Sequence, residues 1–135
     1  MKSMSGFTLM ELLITISIMA LLSAIAYPSY RSVIIKVRRS EAQAFLTAAQ
    51  LKQSEYHILH PDYLTELSAL GLPSTHAFYQ FSVESASMQG YLLKAEVKSG
   101  SSQTQDNLVC QTLFIDQNDN KTRDGKNENA ECWQD

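Results

Sequence analysis

One apolar segment near the start of the chain constrains the fold more than any other feature. Residues 7–27 are predominantly apolar, and Glu11 is the only charged side chain among them. About 20 such residues in a helix cross the hydrocarbon core of a bilayer. A carboxylate at the centre of such a span costs roughly 2.5–3.5 kcal/mol, and less nearer its end. The segment therefore predicts a membrane-spanning helix, and Glu11 is expected to have an ionic partner.

The segment differs from a cleavable secretory signal. It is longer than the apolar core of such a signal, no A-x-A type site follows it, and helical spacing resumes after Pro28. We therefore expect the apolar segment to remain on the mature chain. Pro28 lacks a backbone donor, so we expect it to kink the helix or to loosen the turn around it.

Helical periodicity continues to about residue 59. Apolar side chains recur at three-to-four spacing, which predicts one nearly continuous helix over 7–59 whose second half packs an apolar stripe against its own domain. The stripe consists of Tyr30, Ile34, Val37, Ala44, Ala48, Leu51 and Leu59. His60-Pro61 ends the pattern, and Gly71 is expected to end a short helical turn over 64–70.

The rest of the chain is typical of a small antiparallel sheet. Residues 78–84 and 91–98 alternate apolar and polar side chains, and residues 108–116 supply a third strand. The connections 84–90 and 99–107 are rich in turn residues, and the second is long enough to be mobile. These patterns predict an α+β fold in which a long N-terminal helix, transmembrane and then amphipathic, packs on three or four antiparallel strands.

Composition and motifs restrict the function classes. The 135 residues carry 14 acidic and 11 basic side chains, a net charge of −3, and seven of the acids lie between residues 106 and 135. A nucleic-acid surface needs clustered Lys and Arg, so this balance argues against a nucleic-acid partner. The sequence contains no G-x-S-x-G, H-E-x-x-H, P-loop or G-x-G-x-x-G motif. We therefore expect no enzyme activity and no cofactor.

The two cysteines, Cys110 and Cys132, lie in the last fifth of the chain. Their spacing is unlike that of a C-x-x-C redox pair or a zinc cluster, which favours a disulfide over the alternative of two unpaired thiols. The disulfide would close a loop of about 21 residues and stabilise a small head by roughly 3 kcal/mol. Such a bond requires an oxidising compartment.

The acidic tail contains part of a calcium-loop pattern. Oxygen-bearing side chains alternate at Asp116, Asn118, Asn120, Thr122 and Asp124. An EF-hand, however, needs Gly at its sixth position and Glu at its twelfth, where this chain has Lys and Asn. The same residues form Asx-turns in polar loops. We predict no metal site and keep calcium as the alternative.

The residues around the start of the apolar segment resemble a known family. Gly6-Phe7-Thr8-Leu9-Met10-Glu11 resembles the class III signal of type IV pilins and pseudopilins, with Pro28 where that family has a kinking proline. Near the other end, "CQTLFID" and the terminal "CW" resemble the disulfide-bounded loop of type IVa pilins, most of all the minor pilins of the PilE type. Ala20 departs from the pattern, because many relatives carry a glycine midway along the anchor.

The resemblance implies specific processing. An inner-membrane prepilin peptidase would cut between Gly6 and Phe7, and the new Phe7 amine would be N-methylated. Glu11 would then pair with the positive N-terminus of a neighbouring subunit. The alternative is that Glu11 pairs with its own amine or lies at the lipid headgroups. The implied organisation is a leader over 1–6, an assembly helix over 7–28, an amphipathic helix half over 29–60, and a β head with a C-terminal loop over 61–135.

The function implied by the resemblance is that of a minor pilin, a structural subunit of a type IV pilus. The alternatives are a type II secretion pseudopilin and a pilus-tip adhesin or DNA-uptake pilin. The implied partners are other pilin subunits, the prepilin peptidase, the inner-membrane assembly platform and, before assembly, membrane lipid.

The implied location is the bacterial inner membrane, with one span and a periplasmic head, and later the pilus at the cell surface. One sequence signal disagrees. Arg31, Lys36, Arg38 and Arg39 follow the span and only Lys2 precedes it, so the positive-inside rule places the head in the cytosol. We give the cysteine pair and the signal more weight, and we interpret the basic cluster as a solvated helix face.

Overall fold

A computed structural model describes residues 6–125 and 129–133. Its first helix, α1, spans Leu9–His57 and confirms the predicted long helix to within two residues at each end. Thr8 starts this helix, because its Oγ1 accepts the backbone N–H of Glu11 at 3.2 Å and so satisfies a donor without a helical partner. The helix continues through Pro28, where a kink stays a prediction.

The chain forms two compact units. The first ends at Ile34 and contains the N-terminal part of α1, and the second begins at Ile35 and contains the sheet. The first five residues of the predicted leader lie outside the described residues, as do residues 126–128 and 134–135 of the predicted C-terminal loop.

Four antiparallel strands form one sheet in the order β1-β2-β3-β4. The register pairs Phe81 with Ala95 and Leu93 with Ile115. This arrangement confirms the predicted α+β fold with three or four strands. The strands are β1 Tyr79–Ser87, β2 Gly90–Val97, β3 Thr112–Asp116 and β4 Lys121–Thr122.

The predicted turn over 84–90 is mostly strand. β1 continues to Ser87 after one bulge, so only two residues separate it from β2. At this corner a Cβ on Gly90 would lie 2.5 Å from the end of the Gln117 side chain, so a larger residue here would displace that side chain. That glutamine is itself held in place, since its Oε1 accepts the N–H of Tyr91 at 3.2 Å.

The third strand, predicted over 108–116, begins later in the structure. Leu108–Cys110 forms a 3₁₀ turn, and β3 begins only at Thr112. The cause is local, because the side chain of Asn107 accepts the N–H of Val109 at 3.3 Å and caps the turn. Such side-chain bonds to the backbone compete with the strand ladder.

The head covers a different face of α1 from the predicted one. Tyr30, Val37, Leu51 and Leu59 of the predicted stripe are between 58% and 82% exposed. The prediction that this stripe packs on its own domain is therefore wrong. The buried row has regular three- and four-residue spacing; it consists of Arg39, Ala42, Leu46, Ala49 and Gln53.

The core lies between this buried row and one face of the sheet. A turn after α1 adds to it, with the N–H of Leu70 bonded to the carbonyl of Glu66 at 3.2 Å and Gly71 at a φ of +70°. The short turn ended by Gly71 was predicted. The buried apolar residues of this core beyond α1 are Leu70, Leu72, Tyr79, Phe81, Tyr91, Leu93, Ala95, Leu113 and Ile115, with both cysteines.

The segment over 99–107, predicted to be mobile, is tied to α1 by a buried polar cluster. Arg39 donates to both carboxylate oxygens of Asp106, at 2.6 and 3.0 Å. Gln103 Nε2 donates to the carbonyl of Ile35 and to Tyr79 Oη, each at 3.0 Å. Burial, and next the nearby Asp106 carboxylate, raise the pKa of Tyr79 to about 12. We call the side chains of Arg39, Tyr79, Gln103 and Asp106 the Arg39 cluster.

Candidate assembly surface

The start of the described chain is open to other molecules. Gly6 and Phe7 lie in non-helical backbone before Thr8, and the Phe7 side chain is 81% exposed. A Cβ at Gly6 would meet no described atom within 4 Å. Space within the described chain therefore does not require a glycine here.

Glu11 lies in the first turn of α1. Thr8 and Glu11 have the spacing of a capping box, in which a Thr and a Glu three residues later satisfy the first free amides of a helix. The positive end of the helix dipole also favours a carboxylate at this position. The described capping contact uses the backbone N–H of Glu11, and its carboxylate gains from the helix dipole; the T-x-x-E spacing was the signal for this N-cap in the sequence.

The apolar part of α1 within the first unit presents a continuous apolar surface. By length and composition it is able to cross a membrane, and none of the residues in its most apolar window is buried. Its hydroxyls bond to their own helix, since Thr15, Ser17 and Ser23 donate to carbonyls three or four residues earlier at 2.7–2.8 Å. Because these groups need no outside partner, the surface suits lipid or another apolar helix.

The second unit carries a shallow groove on the outward face of α1, which we call the α1 groove. Its volume is about 730 Å³. Among the described residues, no charged side chain lines it. Its lining residues include Ser40, Ala44, Thr47, Ala48, Leu51 and Trp133.

The C-terminal loop forms one wall of this groove. A short helix, α2 (Ala130–Trp133), contains the second cysteine, and the predicted disulfide between Cys110 and Cys132 is present. The carbonyl of Cys132 accepts a hydrogen bond from Gln43 Nε2 of α1. Trp133 Nε1 donates to Asn129 Oδ1 at 3.2 Å. The loop is therefore fixed to α1 at its C-terminal end.

The candidate calcium residues form a turn in the structure. Asp116 Oδ1 accepts the N–H groups of Asn118 and Asn120 at 2.8 and 2.9 Å, and its Oδ2 accepts Asn120 Nδ2 at 2.8 Å. The Thr122 hydroxyl is used too, since it accepts the N–H of Gly125 at 3.0 Å. Within residues 6–125 and 129–133, no group of three His, Cys, Asp or Glu side chains is placed to hold a metal. The choice between no metal and calcium stays a prediction.

The basic residues after the apolar segment are not a uniform solvated face. The Arg38 guanidinium lies 3.8 Å from the centre of the Phe78 ring, and its Nη1 donates to Ser102 Oγ at 2.7 Å. Arg39 is buried in the Arg39 cluster, so its interpretation as a solvated residue was wrong. These contacts reduce the cationic surface that remains for phosphate groups.

Two family models cover most of the chain. Residues 1–27 match the prokaryotic N-terminal methylation motif. Residues 28–114 match the family described as type IV minor pilin ComP, DNA uptake sequence receptor. The chain belongs to the type IV pilins.

Relatives and a solved structure agree with this assignment. The pilin is 36% identical over 103 residues to the type IV wide pilus major component PilA4 of Thermus thermophilus, covering 74% of this chain and 79% of the relative. It is 30% identical over 96 residues to a fimbrial protein of Neisseria meningitidis, covering 70% of this chain and 51% of that protein. A type IV pilin from Shewanella oneidensis shares the fold, with a TM-score of 0.55 at 22% identity over 75% of this chain and 99% of that one.

These findings confirm the resemblance, the pilin-like fold and the prediction of a structural subunit. Membership of the family implies assembly with other pilin subunits into pili. The apolar helix and the methylation motif fit a membrane-anchored pilin at the cell surface. The family is one of structural pilins.

Proposed function

We propose that this pilin is a minor subunit of a type IV pilus, processed at the Gly6–Phe7 bond and assembled through residues 7–28. The exposed apolar surface of α1 is the observation that carries the proposal. Removing apolar surface from water stabilises by about 25 cal/mol per Å², so this surface needs a cover. Lipid supplies it before assembly, and neighbouring pilin helices supply it in the filament.

Prepilin peptidase removes residues 1–6, and the new Phe7 amine is methylated. The matched methylation motif, the non-helical backbone and the open space at Gly6 support this step. Mass spectrometry of the chain extracted from membranes is the test. We expect the mass of residues 7–135 plus one methyl group, whereas a chain that retains residues 1–6 would contradict the proposal.

Glu11 pairs with the Phe7 amine of a neighbouring subunit. A cation and a carboxylate attract each other far more strongly in a low-dielectric filament core than in water. Only one axial stagger between subunits brings the two charges together, so the pair also sets the register. The competing role for the Glu11 side chain is the second bond of a capping box, to the backbone N–H of Thr8, for which the T-x-x-E spacing is present.

Two substitutions separate these roles. Glu11→Gln keeps a side chain that serves in a capping box but removes the charge, whereas Glu11→Ala removes both. We expect both variants to lose the leader normally and to be depleted from sheared filaments, as measured by quantitative immunoblot. Glu55→Gln, at an exposed position of α1, is the matched control. Normal incorporation of Glu11→Gln would rule out the ion pair.

Before assembly the pilin spans the inner membrane once, with its head in the periplasm and the assembly platform as its next partner. The disulfide supports this orientation, because such bonds persist in oxidising compartments. Fusions after Lys52 test the topology. We expect activity from alkaline phosphatase and no fluorescence from green fluorescent protein, and the reverse result would place the head in the cytosol.

The relatives include major pilins, so copy number needs its own measurement. Immunogold labelling of filaments sheared from the bacterium that encodes the chain provides it. We expect sparse labelling along the filament. Dense labelling would make this chain a major pilin, and unlabelled filaments would point to a pseudopilus.

DNA uptake is the second candidate function, and the description of the matched family favours it. The net charge of −3 and the internal contacts of Arg38 and Arg39 count against it. Filter binding of duplex DNA to the detergent-solubilised full-length chain, across a salt series, is the test. If DNA binds, Lys36→Ala should reduce the salt slope by about 1 and Lys52→Ala should not. Retention that does not depend on salt would exclude this function.

A further inference from the structure

The C-terminal end of the membrane span carries two aromatic side chains and one basic side chain, which we call the Tyr27 site. It consists of Tyr27, Tyr30 and Arg31, whose spacing of three and four residues places them on one side of α1. The Arg31 guanidinium carbon lies 5.6 Å from the centre of the Tyr27 ring, within the range of a cation–π contact. The two tyrosines are 63% and 65% exposed. The described part of the chain therefore leaves most of both side chains uncovered.

The Tyr27 site lies where a bilayer changes from hydrocarbon to headgroups. Residues 9–27 of α1 would extend over about 28 Å at 1.5 Å per residue, which matches a hydrocarbon core of about 30 Å. Tyr27 then lies at the edge of the hydrocarbon, and Arg31 lies about 6 Å further along the helix. Tyrosine is enriched at this depth, because its ring is apolar and its hydroxyl is polar. Lipid phosphates are therefore the charged groups that Arg31 would meet.

The charge of this segment suits an anion. Between residues 12 and 40 the chain carries four basic side chains and no acidic one. Two of the four, Arg38 and Arg39, make contacts in the head. Arg31 is nearest to the span, and a guanidinium binds a phosphate through two parallel hydrogen bonds. The contact with the Tyr27 ring restricts where this guanidinium lies, so the site is partly ordered before a phosphate binds.

We propose that the Tyr27 site binds an acidic phospholipid, with the lipid phosphate on the Arg31 guanidinium and the two tyrosine rings beside the glycerol and the first part of the acyl chains. A zwitterionic lipid carries a phosphate too, but its headgroup cation is repelled by Arg31, so the site distinguishes the two classes. The inference rests on the membrane-anchored state that precedes assembly in the proposed function. It adds the class of lipid and the residues that select it.

Fluorescence quenching by brominated lipids tests the site in the full-length chain. Tyr27→Trp keeps an aromatic ring beside Arg31 and reports its lipid neighbours, and Trp133→Phe removes the only native tryptophan. The chain is reconstituted in phosphatidylcholine vesicles that contain brominated phosphatidylglycerol or brominated phosphatidylcholine at equal mole fractions. We expect a relative binding constant of about five in favour of the acidic lipid, the factor that one cation near an anionic surface provides. Equal quenching by the two lipids would overturn the proposal.

Substitutions in the same assay locate the preference. Arg31→Gln should lower the relative binding constant towards one, whereas Lys36→Gln, the same charge change five residues further from the span, should leave it nearly unchanged. Equal losses in both variants would indicate attraction by the charge of the whole segment and would refute a site at Arg31. Tyr30→Leu should lower the constant less than Arg31→Gln does, and an unchanged constant would remove Tyr30 from the site.

Free phosphate is the other source of the same anion. Inorganic phosphate, compared with chloride at equal ionic strength, should leave the lipid preference unchanged, because a lipid phosphate is kept at the site by its acyl chains. Loss of the preference in phosphate but not in chloride would show that the site takes the free ion, which would overturn the lipid as its ligand. The vesicles contain no filaments, so equal quenching refutes this inference alone, whereas the filament and topology measurements test the proposed function.

Discussion

The two faces of α1 within the second unit differ in a way that the apolar content of the sequence does not indicate. The head-facing row contains two polar residues and two alanines, and it is fully packed; it consists of Arg39, Ala42, Leu46, Ala49 and Gln53. The outward row is the more uniformly apolar one, and it is exposed; it consists of Val37, Ala44, Ala48 and Leu51. Each buried polar residue has a partner in the head. On this helix, therefore, the apolar stripe is not the face that packs on the head.

The largest effect is expected at the polar end of the head-facing row. Arg39→Ala would leave the Asp106 carboxylate buried without its cation, a loss of about 3–5 kcal/mol of unfolding free energy. Urea unfolding of the detergent-solubilised chain, followed by Trp133 fluorescence, measures it. Replacing both partners, Arg39→Met with Asp106→Leu, should recover most of the loss. An Arg39→Ala loss no larger than that of Lys36→Ala would contradict the buried pair.

The sharpest comparison of the two faces uses the same substitution on each. Leu46→Ala removes a fully buried side chain and should cost about 2–5 kcal/mol of unfolding free energy. Leu51→Ala changes an exposed one and should stay within about 0.5 kcal/mol, yet it should reduce incorporation into filaments. Equal unfolding midpoints for the two variants would mean that the faces are assigned wrongly.

A smaller loss is expected at the other polar end of the row. The Gln53 side chain donates to the carbonyl of Leu64 and accepts its N–H, both at 2.7 Å. Gln53→Ala leaves both backbone groups without this partner, at a cost of about 1–3 kcal/mol. We expect faster proteolysis of the connector over 61–70, measured by limited digestion. Ser54→Ala on the exposed face is the control, and equal digestion rates would show that Gln53 does not hold the connector.

Local patterns predicted the helix and the strands. They did not predict where β3 begins or which face of α1 is buried. The helix and the first two strands follow from periodicities of 3.6 and 2 that span many residues. The start of β3 could not be predicted from this periodicity, because a single cap at Asn107 overrides the strand pattern. The partner of Arg39 lies 67 positions away, and no local spacing points to it. The signal that was available is the regular row from 39 to 53, whose polar ends flank alanines and a leucine.

The roles of Gly6, Phe7 and Glu11 came from the resemblance to pilins and not from physical reasoning on the chain. The structure adds the N-cap at Thr8 and the open space at Gly6, which are consistent with those roles. The ion-pair partner proposed for Glu11 would belong to another molecule, and this role stays a prediction. Sequence patterns within one chain identify the surfaces that need a cover, and the cover itself has to be found by experiment.

The smallest effect is expected from ionisation of the Tyr79 hydroxyl, which leaves the unfolding free energy unchanged at neutral pH and lowers it in alkali. Its pKa is raised from 10.0 to about 12 in the folded head, so the folded state holds this proton more tightly than the unfolded chain. The resulting stability is fully present below pH 10 and is lost as the pH rises towards 12. Tyr91, with a pKa of about 12, and Lys94, whose pKa is also raised, act in the same direction. We therefore expect unfolding free energy to fall between pH 10 and 12, and to fall less steeply in Tyr79→Phe. If urea unfolding gave the same pH dependence of the unfolding free energy for both proteins, this hydroxyl would have the same pKa in the folded and unfolded states. The contacts of the Arg39 cluster would then not affect its titration.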